Sequence, residues 1–160
     1  MMTSPLEIRT ARRDELPSIA ALAAKLVHLH HAFDPPRFFV PENVEHGYAW
    51  WFDQELDRPE VVLVVAVRNA RIVGYAYARI EERDWNLLLD ACGALHDIWV
   101  EPSERGTGVA RKLVATCIEQ LRAKGAPRVV LHAAAANKEA QALFEHLGFR
   151  RTMVEMTCEL

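Results

Sequence analysis

Residues Leu95 to Lys124 read LHDIWVEPSERGTGVARKLVATCIEQLRAK. A short apolar run ends at Val100, a turn carrying Pro102 follows, and Arg105-Gly106-Thr107-Gly108-Val109-Ala110 leads into an amphipathic stretch. This is a strand feeding a glycine-rich loop into a helix N-terminus. It confines the chain to folds in which a helix packs back on a sheet. The loop also gathers unpaired backbone N–H groups and the positive end of a helix dipole at one point, where a phosphate or pyrophosphate is the natural ligand.

Spacing separates three kinds of phosphate loop. A P-loop requires a Lys-Ser or Lys-Thr pair after its last glycine, but Val109 and Ala110 follow Gly108. A dinucleotide fingerprint has Gly at the third position, where this chain has Arg111, and it opens a doubly wound fold, whereas this loop lies late in the chain. Arg105, Gly108 and Ala110 instead fit [RQ]-x-x-G-x-[GA]. That loop resembles the pyrophosphate loop of the GNAT superfamily of N-acetyltransferases. By itself such a loop is also an ordinary tight strand-to-helix turn.

The context narrows the choice. Residues 128 to 156, RVVLHAAAANKEAQALFEHLGFRRTMVEM, read as a strand, then Asn137 as a helix N-cap, a helix to Leu147 closed by Gly148, and a further strand. Asn137, Ala140, Leu143, Phe144, Gly148 and Phe149 match the second GNAT signature, N-x-x-A-x-x-[LF]-[YF]-x-x-x-G-F. Upstream, EIRTARRDELPSIAALAAKLV resembles the opening strand and first helix of that superfamily. The resemblance covers nearly the whole chain. It implies a single α/β domain over residues 1–160, with a mixed, mostly antiparallel twisted sheet flanked by helices. A splay between the two central strands would receive acyl-coenzyme A. It does not identify a subfamily or a substrate.

Composition agrees with one ordinary domain. The chain has 160 residues, 51% hydrophobic and 26% charged, long enough to bury a core. A net charge of −3 makes no electrostatic case for nucleic acid. No apolar run approaches the roughly 20 residues that span a bilayer, and the N-terminus lacks a signal-peptide core. Cys92, Cys117 and Cys158 lack C-x-x-C spacing and read as reduced thiols, so a cytoplasmic protein is expected.

Periodicity places the elements. Glu7–Thr10 is a strand, and Asp14 caps a helix in which Leu16, Ile19, Leu22, Leu26 and Leu29 recur at helical spacing. Residues 30–41 read as a loop and 43–54 as a second helix. Residues 61–67 read as a strand buried on both faces, paired through a turn at 68–71 with a strand over 72–80. Residues 83–93 connect to a strand over 94–100. In the following helix Val109, Leu113, Cys117, Ile118 and Leu121 form the buried stripe, and Gly125 ends it.

The resemblance implies acetyl-coenzyme A as cosubstrate and direct transfer to a primary amine. The amides of Gly106, Thr107, Gly108, Val109 and Ala110 would wrap the pyrophosphate. Arg105 would orient the loop or contact phosphate, and Arg111 would reach a phosphate, unless both are simply surface arginines. The backbone of Ile98 and Val100 would hold the pantetheine arm, with Asn137 and Phe144 near the sulfur. Many family members have Tyr where this chain has Phe144, and its hydroxyl protonates the departing thiolate. Phe cannot do so, and Tyr75 or Tyr77 is a candidate substitute.

An amine of pKa about 10 is roughly 0.3% neutral at pH 7.5, so a base is useful. His96 and Asp97 stand where family members carry acidic residues. Imidazole is the better base on intrinsic grounds, and Asp97 would hold its tautomer or bind the substrate cation. Neighbouring strand residues face opposite ways, so one of the two is expected to line the site. His31, Asp34, Phe38, Trp50 and Glu81 are the expected acceptor side, from segment 28–52 and the sheet opening. His28, His30, His31 and Asp34 lack the H-E-x-x-H spacing and a Cys partner, so no metal is expected. The aromatics of 38–52 serve equally as pocket walls, core or a homodimer face. Two other readings remain: an acyl-coenzyme A-binding regulator without catalysis, and a protein or peptide N-acetyltransferase.

Overall fold

In the computed structural model, which describes residues 4–160, five strands form one sheet in the order β1-β2-β3-β4-β5. The first three residues of the expected 1–160 domain lie outside the described residues. The strands are β1 (Glu7–Thr10), β2 (Val61–Arg68), β3 (Arg71–Glu81), β4 (Cys92–Val100) and β5 (Val129–Leu131). The first four pair antiparallel, and β5 lies parallel to β4. The helices are α1 (Leu16–Phe33), α2 (Val44–Glu55), α3 (Val109–Ala123) and α4 (Lys138–His146).

The apolar run of β2 explains the layering. Val62, Val64 and Ala66 point to one face, where they pack with Leu113, Val114, Cys117 and Leu121 of α3 and Phe144 of α4. Val61, Leu63 and Val65 point to the other, with Leu16, Ile19, Leu22 and Ala23 of α1, Phe52 of α2, and Tyr75, Tyr77 and Trp99. Both faces are covered, so the strand needs no polar residue in its interior. The β2–β3 hairpin turns on Asn69 and Ala70, both left-handed with φ of 52° and 57°, as a two-residue hairpin requires.

Three local expectations are revised. Asp14 is not the cap of α1: a 3₁₀ turn, Arg13–Glu15, precedes it, and Glu15 instead accepts the Arg12 amide at 2.8 Å and the Arg9 guanidinium at 2.6 Å. The ion pair with Arg9 anchors that turn to β1 and delays the helix by one step. Helix α1 then runs to Phe33, through residues read as loop, because Leu26, Leu29, His30 and Phe33 continue one face at helical spacing. Finally, no strand follows Gly148. Residues 150–160 are exposed, including Met153, Val154 and Met156, and Glu155 pairs with Arg37. A strand needs a backbone partner, and this segment has none among the described residues.

Among the described residues no helix is long and apolar enough to cross a membrane. No group of three or more His, Cys, Asp or Glu that could hold a metal occurs among them either. Cys92 and Cys117 are buried and Cys158 is exposed, all three as free thiols.

Candidate active site

The parallel pairing of β4 and β5 is brief. It runs through Gly93↔Val129 and Ala94↔Val130 and stops at Leu95↔Leu131. Beyond that rung the two strands part, and a cavity of about 670 Å³ opens between them. Its walls come from α1 (Leu26, Leu29, His30, Phe33), β4, the loop before α3, and α4.

The glycine-rich loop forms one end. Gly106 and Gly108 have φ of 75° and 87°, the left-handed region that favours glycine. A Cβ at either position would meet nothing within 4 Å, so backbone conformation, not crowding, selects glycine. Helix α3 starts at Val109 without a side-chain cap, and its first bond is Lys112 N–H to the Gly108 carbonyl at 3.1 Å. Among the described residues, none of the amides from Gly106 to Arg111 donates to a backbone carbonyl. A row of free donors at a helix N-terminus fits a diphosphate without any side-chain base.

Of the residues read as donor-binding, Ile98, Val100, Arg105, Gly106, Gly108, Val109, Ala110, Arg111, Asn137 and Phe144 all line this cavity. Thr107 does not, and its hydroxyl donates to the Glu104 carbonyl at 2.6 Å. Arg105 turns back towards β4: its Nε donates to the Val100 carbonyl at 3.2 Å and its guanidinium lies 5.1 Å from the Trp99 ring. Asn137 caps α4 by accepting the Ala140 amide at 3.1 Å.

A second cavity of about 460 Å³ lies on the other side of β4. Tyr48, Trp51, Phe52 and Tyr77 supply aromatic walls; Glu42, Arg79 and Glu81 supply charge. His96 and Asp97 line both cavities. Strand alternation predicts that only one of them would face the site. A β-bulge overrides it: Tyr77 pairs with Asp97 and Ala78 with Leu95, so His96 is an extra residue without a rung. At this kink both residues line both cavities, so the two cavities meet there.

The two groups sit in different surroundings. His96 Nε2 is 2.8 Å from Glu81 Oε1, and its ring stacks on Tyr77 at 5.6 Å between centroids. Glu81, not Asp97, therefore orients the imidazole. With Glu81 ionised, Nε2 carries the proton and Nδ1 keeps a lone pair. Asp97 accepts a hydrogen bond from the Tyr75 hydroxyl at 3.0 Å. Burial pushes its carboxyl pKa up, while the Tyr75 hydrogen bond and the charges of His96 and His30 pull it back. Tyr48 is pushed up to about 12 by burial and by the Asp97 charge.

Glu81 is the one residue of the expected acceptor set that lines the second cavity. His31, Asp34, Phe38 and Trp50 line neither cavity. His31 Nδ1 is engaged with the Phe38 carbonyl at 2.7 Å, and Trp50 is exposed on the outer face of α2. The lining instead comes from Val44, Gly47, Tyr48 and Trp51. Their i, i+3, i+4, i+7 spacing was the readable signal. Tyr75 and Tyr77 do not enter the first cavity, and their hydroxyls bond Asp97 and Glu55. Neither is placed to do what a tyrosine at 144 would do.

Comparison with known proteins finds similarity in sequence and fold. The model of the acetyltransferase (GNAT) family matches residues 25–149. A mycothiol acetyltransferase of Thermomonospora curvata is 30% identical over 106 residues, covering 66% of this chain and 31% of that protein. One from Thermobispora bispora is 32% identical over 110 residues, 66% of this chain and 34% of that protein. The chain thus spans about a third of the length of these curated relatives. Among solved structures, aminoglycoside N-acetyltransferase AAC(6')-Iy in complex with CoA superposes with a TM-score of 0.78 at 19% identity, covering 99% of this chain and 97% of that one. A predicted acetyltransferase from Clostridium acetobutylicum with acetyl-CoA has a TM-score of 0.76 at 15% identity, covering 96% of each chain.

Proposed function

The chain belongs to the GNAT acetyltransferase family, and from that premise we propose that it transfers an acetyl group from acetyl-coenzyme A directly to a small primary amine. The observation that carries this reading is the meeting of two cavities at His96 and Asp97. A donor held along β4 with its diphosphate on the Gly106–Arg111 amides delivers its thioester to the passage. An amine in the second cavity approaches from the other side. Holding both removes much of the entropic cost of a bimolecular step.

His96 is the general base in this mechanism. Its Nδ1 takes a proton from the ammonium, directly or through water, while Glu81 holds the ring and stabilises the imidazolium that forms. Asp97 adds negative charge at the same point. The second cavity favours a cationic acceptor. Glu42, Glu81 and Asp97 line it against one arginine, Arg79, which pairs with Glu55 at 2.9 Å, Glu60 at 3.4 Å and Glu81 at 3.5 Å. The aromatic walls suit a cation as well.

The test is a free-thiol release screen with acetyl-coenzyme A and a panel of small amines, amino acids and peptides. Turnover is expected on small cationic amines. Binding of the donor without thiol release on any acceptor would leave a regulator, and turnover confined to peptides would leave a protein-acting enzyme.

A further inference from the structure

We infer that His132 is the proton donor to the departing thiolate, a role that rests on the acetyl-transfer reading above. The register of the sheet places it. Leu95↔Leu131 is the last rung between β4 and β5, so His96 is the next residue on β4 and His132 the first residue after β5. His96 lines both cavities, whereas His132 lines only the donor cavity, together with Asn137 and Phe144. Both imidazoles thus line the donor cavity, and His96 alone also reaches the second one.

The need for such a group follows from the side chains around it. Phe144 has no proton to give. The Tyr75 and Tyr77 hydroxyls are committed to Asp97 and Glu55, and neither tyrosine lines the donor cavity. Among the described residues no Ser, Thr, Cys or Tyr lines the donor cavity, and its carboxylates are Asp97, Glu104 and Glu139. Of its other imidazoles, His30 has its Nδ1 on the Leu26 carbonyl at 2.9 Å and His96 is held by Glu81. His132 makes no hydrogen bond among the described residues, and it is exposed, so it can exchange protons with solvent.

The step balances. The ammonium gives one proton to His96, the free amine nitrogen then bonds to the thioester carbon, and that nitrogen loses its second proton to solvent as the amide forms. The C–S bond breaks with its electron pair going to sulfur. A ring N–H of His132 moves its proton to that sulfur, leaving free coenzyme A, the amide and a neutral imidazole that solvent reprotonates.

The experiment compares the full-length wild type, His132→Ala, and the double variant His132→Ala with Phe144→Tyr. Turnover of an amine found in the screen and coenzyme A affinity by calorimetry are measured for each. His132→Ala is expected to lower kcat about 10-fold or more, less than the roughly 10²–10⁴ often seen for an acid because a thiolate leaves readily. The KM for acetyl-coenzyme A and the coenzyme A Kd should stay within about 2-fold. The tyrosine in the double variant should restore most of the loss. An unchanged kcat overturns the assignment while leaving acetyl transfer standing. So does a kcat loss matched by lost coenzyme A affinity, or one that the tyrosine does not repair. Absence of turnover in the wild type overturns both readings together.

Discussion

The imidazole of His96 and the carboxylate of Glu81 meet at 2.8 Å across neighbouring antiparallel strands, 15 residues apart in sequence. The contact engages Nε2 and leaves Nδ1 without a hydrogen-bond partner among the described residues. Nε2 belongs to Glu81, and Nδ1 is the atom left for chemistry.

Removing either partner should therefore be separable. His96→Ala is expected to lower kcat/KM about 10²-fold or more and to abolish the acidic limb of the pH profile. Glu81→Gln should keep the ring in place but weaken the imidazolium, with a smaller loss at unchanged donor KM. Steady-state pH profiles check both. If Asp97→Ala removes the acidic limb and His96→Ala does not, Asp97 is the base.

Gly108→Glu is expected to abolish acetyl-coenzyme A binding. The substitution strains a backbone at φ 87° and sets a carboxylate against phosphate at the helix N-terminus. Titration calorimetry reads this directly. Unchanged affinity would place the diphosphate elsewhere.

Asp97 carries a stability signature. Its carboxyl pKa is raised by burial from an ordinary 3.8, so the folded state holds the proton more tightly than the unfolded chain. Native stability is then greatest, as far as this group is concerned, below pH 3.8 and falls as pH rises through the folded value. Asp97→Asn keeps an acceptor for Tyr75 and lacks this slope. Its Tm relative to wild type should climb between pH 4 and pH 8, and a Tm difference that is flat with pH would contradict the burial effect.

Phe144 is 6% exposed and packs edge-on to Phe149 at 5.7 Å between ring centroids. Phe144→Ala should cost about 3–5 kcal/mol in denaturant unfolding. Phe144→Tyr should fold and turn over equally or modestly faster, since it adds a hydroxyl facing the donor cavity. A well-folded Tyr variant with severe activity loss would mean that the ring itself shapes the thiolate site.

What the sequence determined about this protein is what depends on local spacing. The strand, the two left-handed glycines and the helix start at Val109 lie within a dozen residues, so the glycine-rich loop and its helix N-terminus were legible before any packing was known. The buried stripe of α3 and the Asn137 cap were legible for the same reason. The tertiary structure decided what depends on pairing between distant segments. The bulge opposite Tyr77 and Ala78 exists only in the β3–β4 register, and it turns both His96 and Asp97 to the passage against strand alternation. Likewise Glu81 reaches His96 only because a hairpin lays β3 beside β4. The face of α2 that meets the sheet is set by burial of Phe52, which puts Tyr48 and Trp51 in the second cavity and Trp50 outside it. Local rules act over one turn or one loop, whereas a site at the junction of two cavities is made by contacts between residues tens of positions apart.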